Sequence, residues 1–420
     1  MREKKVEQYD VVIIGGGPAG LTAGIYCGRA RLKTILIEKA LIGGLATYTS
    51  EIENYPGILN KPKGEEVTNL MKKQAEEMGC EFKLTAVQSV DLSGMVKKVE
   101  TFRTTYEAKA VIISTGGRPR ITGAKNEENF LFDKGISFCA TCDAAANTGK
   151  HVLVIGSGDA AIEEGMFLTK FASKVSVAVM HDEGIMDCNE IAKDAALKNP
   201  KMSFIWNTVV DSFEGEDYLS TVNLRNLKNG DIIPVACDSC FEFIGYIPNS
   251  DIFKDQINLT PRGYIKTNEK METNMSGVFA CGDIRDKWLR QVSTAVGDGA
   301  IAACAAEKYI AEEENYHKLI IEPELPVVIL IYNAVDKESQ DSLLLFKDVE
   351  KLYHNFYAFV KVDIYKSTGI ADRLGVKEYP SINLVKHGEI VETITNEITM
   401  ERIEDMLSRH YDCGCHAKEE

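Results

Sequence analysis

The sequence predicts an α/β protein with two three-layer, Rossmann-like domains followed by a smaller α/β domain. Three observations carry this expectation. A strand–glycine turn–helix–strand order spans residues 9–38, the same order returns at residues 151–179, and a separate alternation of strands and helices begins at Val327. The length fits, since 420 residues at roughly 150 per domain make about three domains.

In the first unit Tyr9 to Ile14 is an apolar run, Gly15 to Gly20 a glycine turn and Leu21 to Arg31 a helical pattern. A β-branched run, Thr34 to Ile37, follows and ends at Glu38. Gly15-Gly16-Gly17-Pro18-Ala19-Gly20 fits G-x-G-x-x-G. Gly15 permits the tight turn, Gly17 lets the backbone approach a pyrophosphate, and Gly20 allows close helix–strand packing. The helix N-terminus offers free N–H groups and a positive dipole end to phosphates. Glu38 is placed to accept hydrogen bonds from a ribose, and its charge would repel a 2′-phosphate. A glycine turn alone is an ordinary turn; with strand, helix and acid in place it reads as a nucleotide site.

The second unit runs from His151 to Ile155, through Gly156-Ser157-Gly158, a helix to about Phe171, and Val175 to Val179. It duplicates the fold type of the first. Tyr316 to Pro326 carries two prolines and no apolar period and reads as a linker. Beyond it come a strand (Val327 to Tyr332), a helix (about Ser339 to Asn355), a strand (Phe359 to Asp363) and a helix (Ile370 to Leu374). Two strands around Pro380 and Gly388 complete a domain of about 90 residues, and a short tail follows from Tyr411.

Composition excludes other classes. The 48 Lys+Arg against 63 Asp+Glu leave a formal charge of -15. That sign speaks against nucleic-acid binding, which needs clustered cations to displace phosphate counterions. No stretch approaches the roughly 18 apolar residues of a membrane span, and the N-terminus, Met1-Arg2-Glu3-Lys4-Lys5, does not read as a signal peptide. Eleven cysteines, spread without the density of a secreted disulfide scaffold, suit a reducing cytoplasm.

Cys139-Ala-Thr-Cys142-Asp143 precedes the second glycine unit. Disulfide exchange needs an attacking thiolate, a second thiol close enough to resolve the mixed disulfide, and a group that moves protons. A two-residue spacer lets the sulfurs meet, a nearby helix start lowers a thiol pKa, and Asp143 is the candidate proton donor and acceptor. The alternative is half of a zinc site, which would need two further ligands; we expect a redox pair and no metal. Cys237 and Cys240 fall in a strand context and read as packed, inert thiols. Cys27, Cys80, Cys188, Cys281 and Cys304 have no partner spacing and read as small apolar fillers.

Taken with Gly43-Gly44, Ile52-Glu53-Asn54-Tyr55-Pro56-Gly57, Ser114-Thr115-Gly116, Gly282-Asp283 and Arg290-Gln291, the glycine turn and the dithiol run in an order that resembles the bacterial-type thioredoxin reductases. These are FAD-dependent disulfide reductases, and the resemblance covers about the first 315 residues. It implies that Asp283 binds the ribityl or pyrophosphate part of FAD, with Asn54 and the Arg290-Gln291 backbone against the isoalloxazine ring. Gly44, Thr115, Gly116 and Gly282 belong to the same implied site. Cys142 would be the sulfur nearest the flavin and Cys139 the one that attacks the substrate disulfide. Leu45 stands where many relatives carry Gln. The implied organisation is a discontinuous FAD domain (1–117 and 248–315), an NAD(P)-type domain (118–247) carrying the dithiol, a linker (316–326), a thioredoxin-like domain (327–410) and a tail (411–420). Thioredoxin or a related protein disulfide would be the partner and a homodimer the assembly. Because nicotinamide and dithiol sit on one segment and both need the flavin, a hinge is expected near residues 116–120 and 245–248.

The electron donor stays open. Gly156 and Gly158, with Asp159 behind them, keep the phosphate approach, but relatives that use NADPH usually follow with His-Arg-Arg and a further Arg. Val179-Met180-His181 and Ile185 stand there instead. NADH with Asp182 or Glu183 on the ribose, ferredoxin feeding the flavin directly, and NADPH held by other residues are the three readings, in that order of preference. The C-terminal domain resembles the second half of thioredoxin, through Phe359-Val360-Lys361-Val362-Asp363, Leu374-Gly375-Val376, Tyr379-Pro380 and Lys386-His387-Gly388-Glu389. Tyr379-Pro380 would be its cis-proline, a fold marker. Asn333-Ala334-Val335-Asp336 holds no cysteine, so this domain is expected to dock or pack. Cys413-Gly414-Cys415 is a candidate relay that would carry reducing equivalents outward, or an adventitious metal site with His416, or idle. A flavin redox sensor without turnover is the rival reading from another class.

Overall fold

The computed structural model describes residues 4–49, 52–366 and 368–411. The chain divides into two compact units, Met1–Glu307 and Lys308–Glu420. The first contains a mixed sheet and a parallel sheet. In the seven-stranded sheet, Lys5–Ile14 is central, parallel to Thr34–Glu38 on one side and to Thr104–Ile113 on the other. Val11, Val12 and Ile13 are all fully buried, as a strand covered on both faces requires. The chain leaves this strand at Gly15, between two parallel neighbours, which is where open α/β sheets hold ligands.

The five-stranded sheet runs in the order Met202–Ile205, Lys174–Ala178, His151–Ile155, Ser239–Glu242, Ile136–Ser137, and every pairing in it is parallel. An antiparallel meander, Thr208–Gly215, Leu219–Asn226 and Ile232–Ala236, accompanies it. Phe213, Val222 and Leu224 of the meander pack with Leu153, Ile155 and Cys240 of the sheet. The segments Gly117–Pro119 and Tyr246–Pro248, which join the two sheets, pair with each other antiparallel. Gly116 (φ +57°) and Gly245 (φ +112°) stand beside this ribbon in the left-handed region that glycine enters at least cost.

In the second unit the sheet order is Ala358–Asp363, Val327–Tyr332, Ser381–Lys386, Glu389–Thr395, with helices Lys337–Tyr353, Gly369–Arg373 and Met400–Arg409. Tyr379-Pro380 is cis, as expected. Two elements differ from the sequence reading. The stretch taken as a linker is helical as far as Ile321, the helix Val292–Tyr316 continuing into a π-helical turn, His317–Ile321. Its order comes from packing, because Ile320 and Tyr316 sit against Val327, Ile329 and Val360. Met400–Arg409 was not anticipated; Thr399 caps it by accepting from Arg402 N. Among the described residues no helix is long and apolar enough to cross a membrane.

One buried group is costly. Glu242 is 2 % exposed, neither of its oxygens has a hydrogen-bond partner, and burial with the Glu127 carboxylate beside it pushes its pKa up to about 9. Glu127 is itself buried, but it accepts from Thr122 N, Thr122 Oγ1 and Gly123 N. The folded state therefore holds a proton that the unfolded chain releases in the ordinary carboxyl range. Stability falls as pH rises from that range toward about 9 and levels off beyond. Glu242→Leu is expected to remove this slope and to raise stability by about 1–3 kcal/mol at neutral pH, read as the thermal midpoint across a pH series.

Candidate active site

The first glycine turn is closed by contacts that admit no side chain. A Cβ on Gly20 would lie 2.0 Å from Gly15 O, and one on Gly15 2.4 Å from Ser114 O. Ser114 Oγ lies 2.8 Å from Gly15 O and 3.0 Å from Ile14 O, so the strand Thr104–Ile113 presses on the turn from the side. Gly17 is the opposite case: a Cβ there meets nothing within 4 Å, leaving an open cradle before the helix Pro18–Arg29. Gly44 lies against Gly17, 3.2 Å from its Cα to a built Cβ. Ala19 underlies Gly282, whose own Cβ would come to 2.8 Å from the Ala19 methyl. Glu38 accepts from Gly16 N (2.7 Å) and Ala40 N (2.9 Å) and lines a cleft of about 230 Å³ with Gly15, Thr115, Arg118, Asn249 and Asp251.

Three residues of this region carried no sequence signal. Asn249 donates to Thr115 O and its own carbonyl accepts from Thr115 Oγ1 (2.9 and 2.8 Å); Asn249 N donates to Gly116 O. Arg118 donates to Asn249 Oδ1 (3.1 Å). Asp298, on the helix Val292–Tyr316, accepts from Gly282 N, Arg285 and Lys287 at 2.8–3.0 Å. These contacts span more than a hundred residues, or tie a loop to a later helix, so no local spacing reveals them. Asp283 beside them keeps Oδ1 buried without a hydrogen-bond partner, and burial pushes its pKa up. A buried acceptor of this kind calls for a donor from outside the chain, and a ribityl hydroxyl of FAD is such a donor. The open cradle at Gly17 and the cleft at Glu38 fit the pyrophosphate and adenosine of the same molecule.

The dithiol is a disulfide here, Cys139–Cys142, with Cα atoms 5.3 Å apart. Cys139 caps the helix Ala140–Asp143 and its Sγ accepts from Cys142 N (3.2 Å), an N–H that favours a thiolate on this sulfur. Asp143 accepts from Ser137 Oγ at 2.5 Å; burial, partly offset by that hydroxyl, holds its pKa above the usual carboxylate value. Thr141 of the dithiol helix accepts from Gln291 Nε2 (3.3 Å), and Gln291 Oε1 accepts from Asn54 Nδ2 (3.1 Å). Cys142 lines the small cleft between them with Asn54, Phe167 and Gln291. Arg290 stacks on the Tyr264 ring, 4.2 Å from its centroid, with Nε 3.4 Å from Asp283 O. Asn54 and Gln291 thus meet the dithiol helix.

Residues 9–299 match the pyridine nucleotide-disulphide oxidoreductase family, and residues 308–409 match thioredoxin. The chain belongs to the pyridine nucleotide-disulphide oxidoreductase family. This oxidoreductase is 43% identical over 316 residues to a protein of Peptoclostridium acidaminophilum named thioredoxin reductase, the match covering 74% of this chain and 99% of that one. A Bacillus subtilis protein of the same name is 40% identical over 321 residues, covering 76% and 100%. The crystal structure of thioredoxin reductase from Streptococcus pyogenes superposes with a TM-score of 0.68 at 39% identity, over 72% of this chain and 98% of that one. The oxidoreductase is therefore a thioredoxin reductase-like disulfide oxidoreductase with a thioredoxin domain after it.

The second glycine turn of the oxidoreductase is stitched to its own acidic loop. Asp187 Oδ2 accepts from Ser157 Oγ (3.0 Å) and sits 2.9 Å from His181 Nε2, while Asp187 N donates to Ser157 O (3.0 Å). Asp159 Oδ1 accepts from Asn189 N and Nδ2. Asp182 is ion-paired with Lys228, and Glu183 is exposed. Asp187, not singled out by spacing, is thus the acid at the turn. In the thioredoxin domain, Asp336 caps the helix Lys337–Tyr353 by accepting from Ser339 N, and Asn333 N donates to Ser339 Oγ. The loop that holds a dithiol in thioredoxin is here a helix cap.

Of the remaining thiols, Cys237 and Cys240 are buried and free, with burial pushing Cys237 up to about 12 and Cys240 well above its ordinary value. Cys27, Cys80, Cys188 and Cys281 are buried too. Cys304 departs from the expected filler role: it is exposed, because its position on Val292–Tyr316 turns outward while Ala302, Ala303 and Ala306 face the core. Cys413 and Cys415 lie outside the described residues. Brief alkylation of the oxidised native protein should label Cys304 and leave the six buried thiols unmodified, as mapped by peptide mass spectrometry; labelling of Cys237 or Cys240 at a comparable rate would contradict the burial.

Proposed function

We propose that the protein is an FAD-dependent thioredoxin reductase-like enzyme. It would pass electrons from a reduced donor through FAD and the Cys139/Cys142 dithiol to thioredoxin or a related protein disulfide. The observation that carries this reading is the link Asn54–Gln291–Thr141, which puts the dithiol helix against the residues expected to hold the ring. FAD, when bound, supplies two-electron reduction of the disulfide. Gly15, Gly17, Gly20 and Glu38 would hold its nucleotide end and Asp283 its ribityl chain. Cys142 faces the cleft shared with Asn54 and Gln291 and takes the flavin side. Cys139, whose sulfur accepts a helix N–H, is the attacking thiolate, and Asp143 moves the proton. A cytoplasmic homodimer fits this reading, as does a hinge at the ribbon of Gly117–Pro119 and Tyr246–Pro248.

For the donor we favour NADH, since Asp182, Glu183 and Asp187 follow the second strand where a 2′-phosphate would need cations. A second reading, reduction of the flavin by ferredoxin, has its own support. Ser157, His181 and Asp187 already engage one another across the turn that a pyrophosphate would have to reach. Anaerobic titration of the yellow protein with NADH, NADPH and reduced ferredoxin separates these donors. Bleaching by NADPH alone rejects both preferences. Cys139→Ser and Cys142→Ser are each expected to lower thioredoxin-disulfide turnover by roughly 10³-fold or more with flavin content unchanged. A single flavin oxidation without turnover in the wild type would favour a redox sensor instead. Cys413→Ser with Cys415→Ser tests the tail relay: a fall in turnover on some protein disulfide is expected if it operates, and unchanged turnover on all of them removes it.

A further inference from the structure

Ser137 occupies a junction that disulfide exchange by itself does not explain. It ends the two-residue strand Ile136–Ser137, whose parallel partner is Ser239–Glu242 (Phe241 opposite Ser137), and it is 9% exposed. Its oxygen accepts from Cys139 N (3.2 Å) and donates to Asp143 Oδ2 (2.5 Å); Cys139 O, at 3.5 Å, is the poorer alternative for its single proton. The dithiol helix has four residues, too few to hold an Asp143 rotamer through its own packing. A second arm comes from the neighbouring strand. Ser239 Oγ donates to Asn147 Oδ1 (2.7 Å), and Asn147 Nδ2 donates to Asp143 O (2.9 Å). Two serines on adjacent strands therefore hold Asp143, one by its carboxyl and one, through Asn147, by its main chain.

We propose that Ser137 is a positioning residue that fixes the Asp143 carboxyl as the proton carrier of the Cys139/Cys142 dithiol. This rests on the disulfide-reductase reading above. In exchange with a partner disulfide, Cys139 Sγ bonds to one partner sulfur as the partner S–S bond breaks. Cys142 Sγ then bonds to Cys139 Sγ and releases that partner sulfur. The dithiol is oxidised by two electrons and the partner disulfide reduced by two; two protons pass from the enzyme thiols to the two partner sulfurs. Asp143 takes each proton from an attacking thiol and returns it to a leaving thiolate, ending as it began. A carboxyl free to rotate would miss one of these positions. The groups facing it are Ser137 from the strand and Asp133 from the preceding turn, whose charge disfavours ionisation, as burial does.

The test follows the pre-reduced holoenzyme under anaerobic conditions, measuring alkylation of Cys139 and Cys142 by iodoacetamide against pH. Single-turnover oxidation by oxidised thioredoxin is followed in parallel. An ionised Asp143 repels a neighbouring thiolate, so the alkylation profile carries an inflection from the carboxyl that Asp143→Asn removes. Ser137→Ala deletes the hydroxyl that favours the ionised form. Its inflection is expected to move to higher pH, with exchange slowed by roughly tenfold or more, and Ser137→Thr, which keeps the hydroxyl, to restore both. A profile unmoved in Ser137→Ala, or a shift that persists when Asp143→Asn is also present, overturns the proposal. So does slowing at every pH without a shift, the mark of a merely structural role. Exchange that survives Cys139→Ser would instead reject the disulfide-reductase reading itself.

Discussion

The strands Gly117–Pro119 and Tyr246–Pro248, three residues each, pair with one another where the chain leaves the seven-stranded sheet and where it returns. Both connections between the two sheets therefore run through one narrow ribbon, and the position of the dithiol relative to the first glycine turn depends on it. Asn249, one residue past the ribbon, ties it to Thr115 and Gly116 by three hydrogen bonds, so its root belongs to the same network that shapes the nucleotide cleft. Glu127 and Glu242, an acid pair sharing one buried region, lie close in sequence to the ribbon's other end.

Against that frame the chemistry is divided by environment. Gly15 and Gly20 let backbone pack closely around the first turn, Gly17 leaves the space before the helix open, and Asp283 keeps a buried oxygen unpartnered. The dithiol helix is short and polar at its base, where Ser137, Asn147 and Ser239 anchor it to the sheet. Among the described residues six other thiols are buried and made harder to ionise by desolvation, whereas Cys139 and Cys142 form a disulfide. The thioredoxin domain has its cis-proline at Tyr379-Pro380, and Asp336 in its first loop serves as a helix cap.

Much of this was legible beforehand. His151–Ile155 and Val327–Tyr332 begin and end close to where the apolar runs do, because a central strand covered on both faces must be apolar along nearly its whole length. The glycine turns, the C-A-T-C-D segment and Tyr379-Pro380 are local in the chain, and each restricts backbone or sulfur geometry by itself. The helical turn His317–Ile321 was not legible: its residues lack a strong period and are ordered by burying Ile320. Nor was the exposure of Cys304, which depends on the rotation of a helix about its own axis.

Residue type and spacing thus determined the two nucleotide-type units, the dithiol and the small third domain, since those features are written within a few residues of one another. Only the tertiary structure decided that Asn249 locks Thr115, that Asp187 spans the second turn, and that Ser137 holds Asp143. It also decided that Gln291 joins Asn54 to Thr141 across sequence separations of 237 and 150 residues. A hydrogen bond requires two groups at one point in space, and for groups far apart in the chain that point exists only once the sheets have formed and packed.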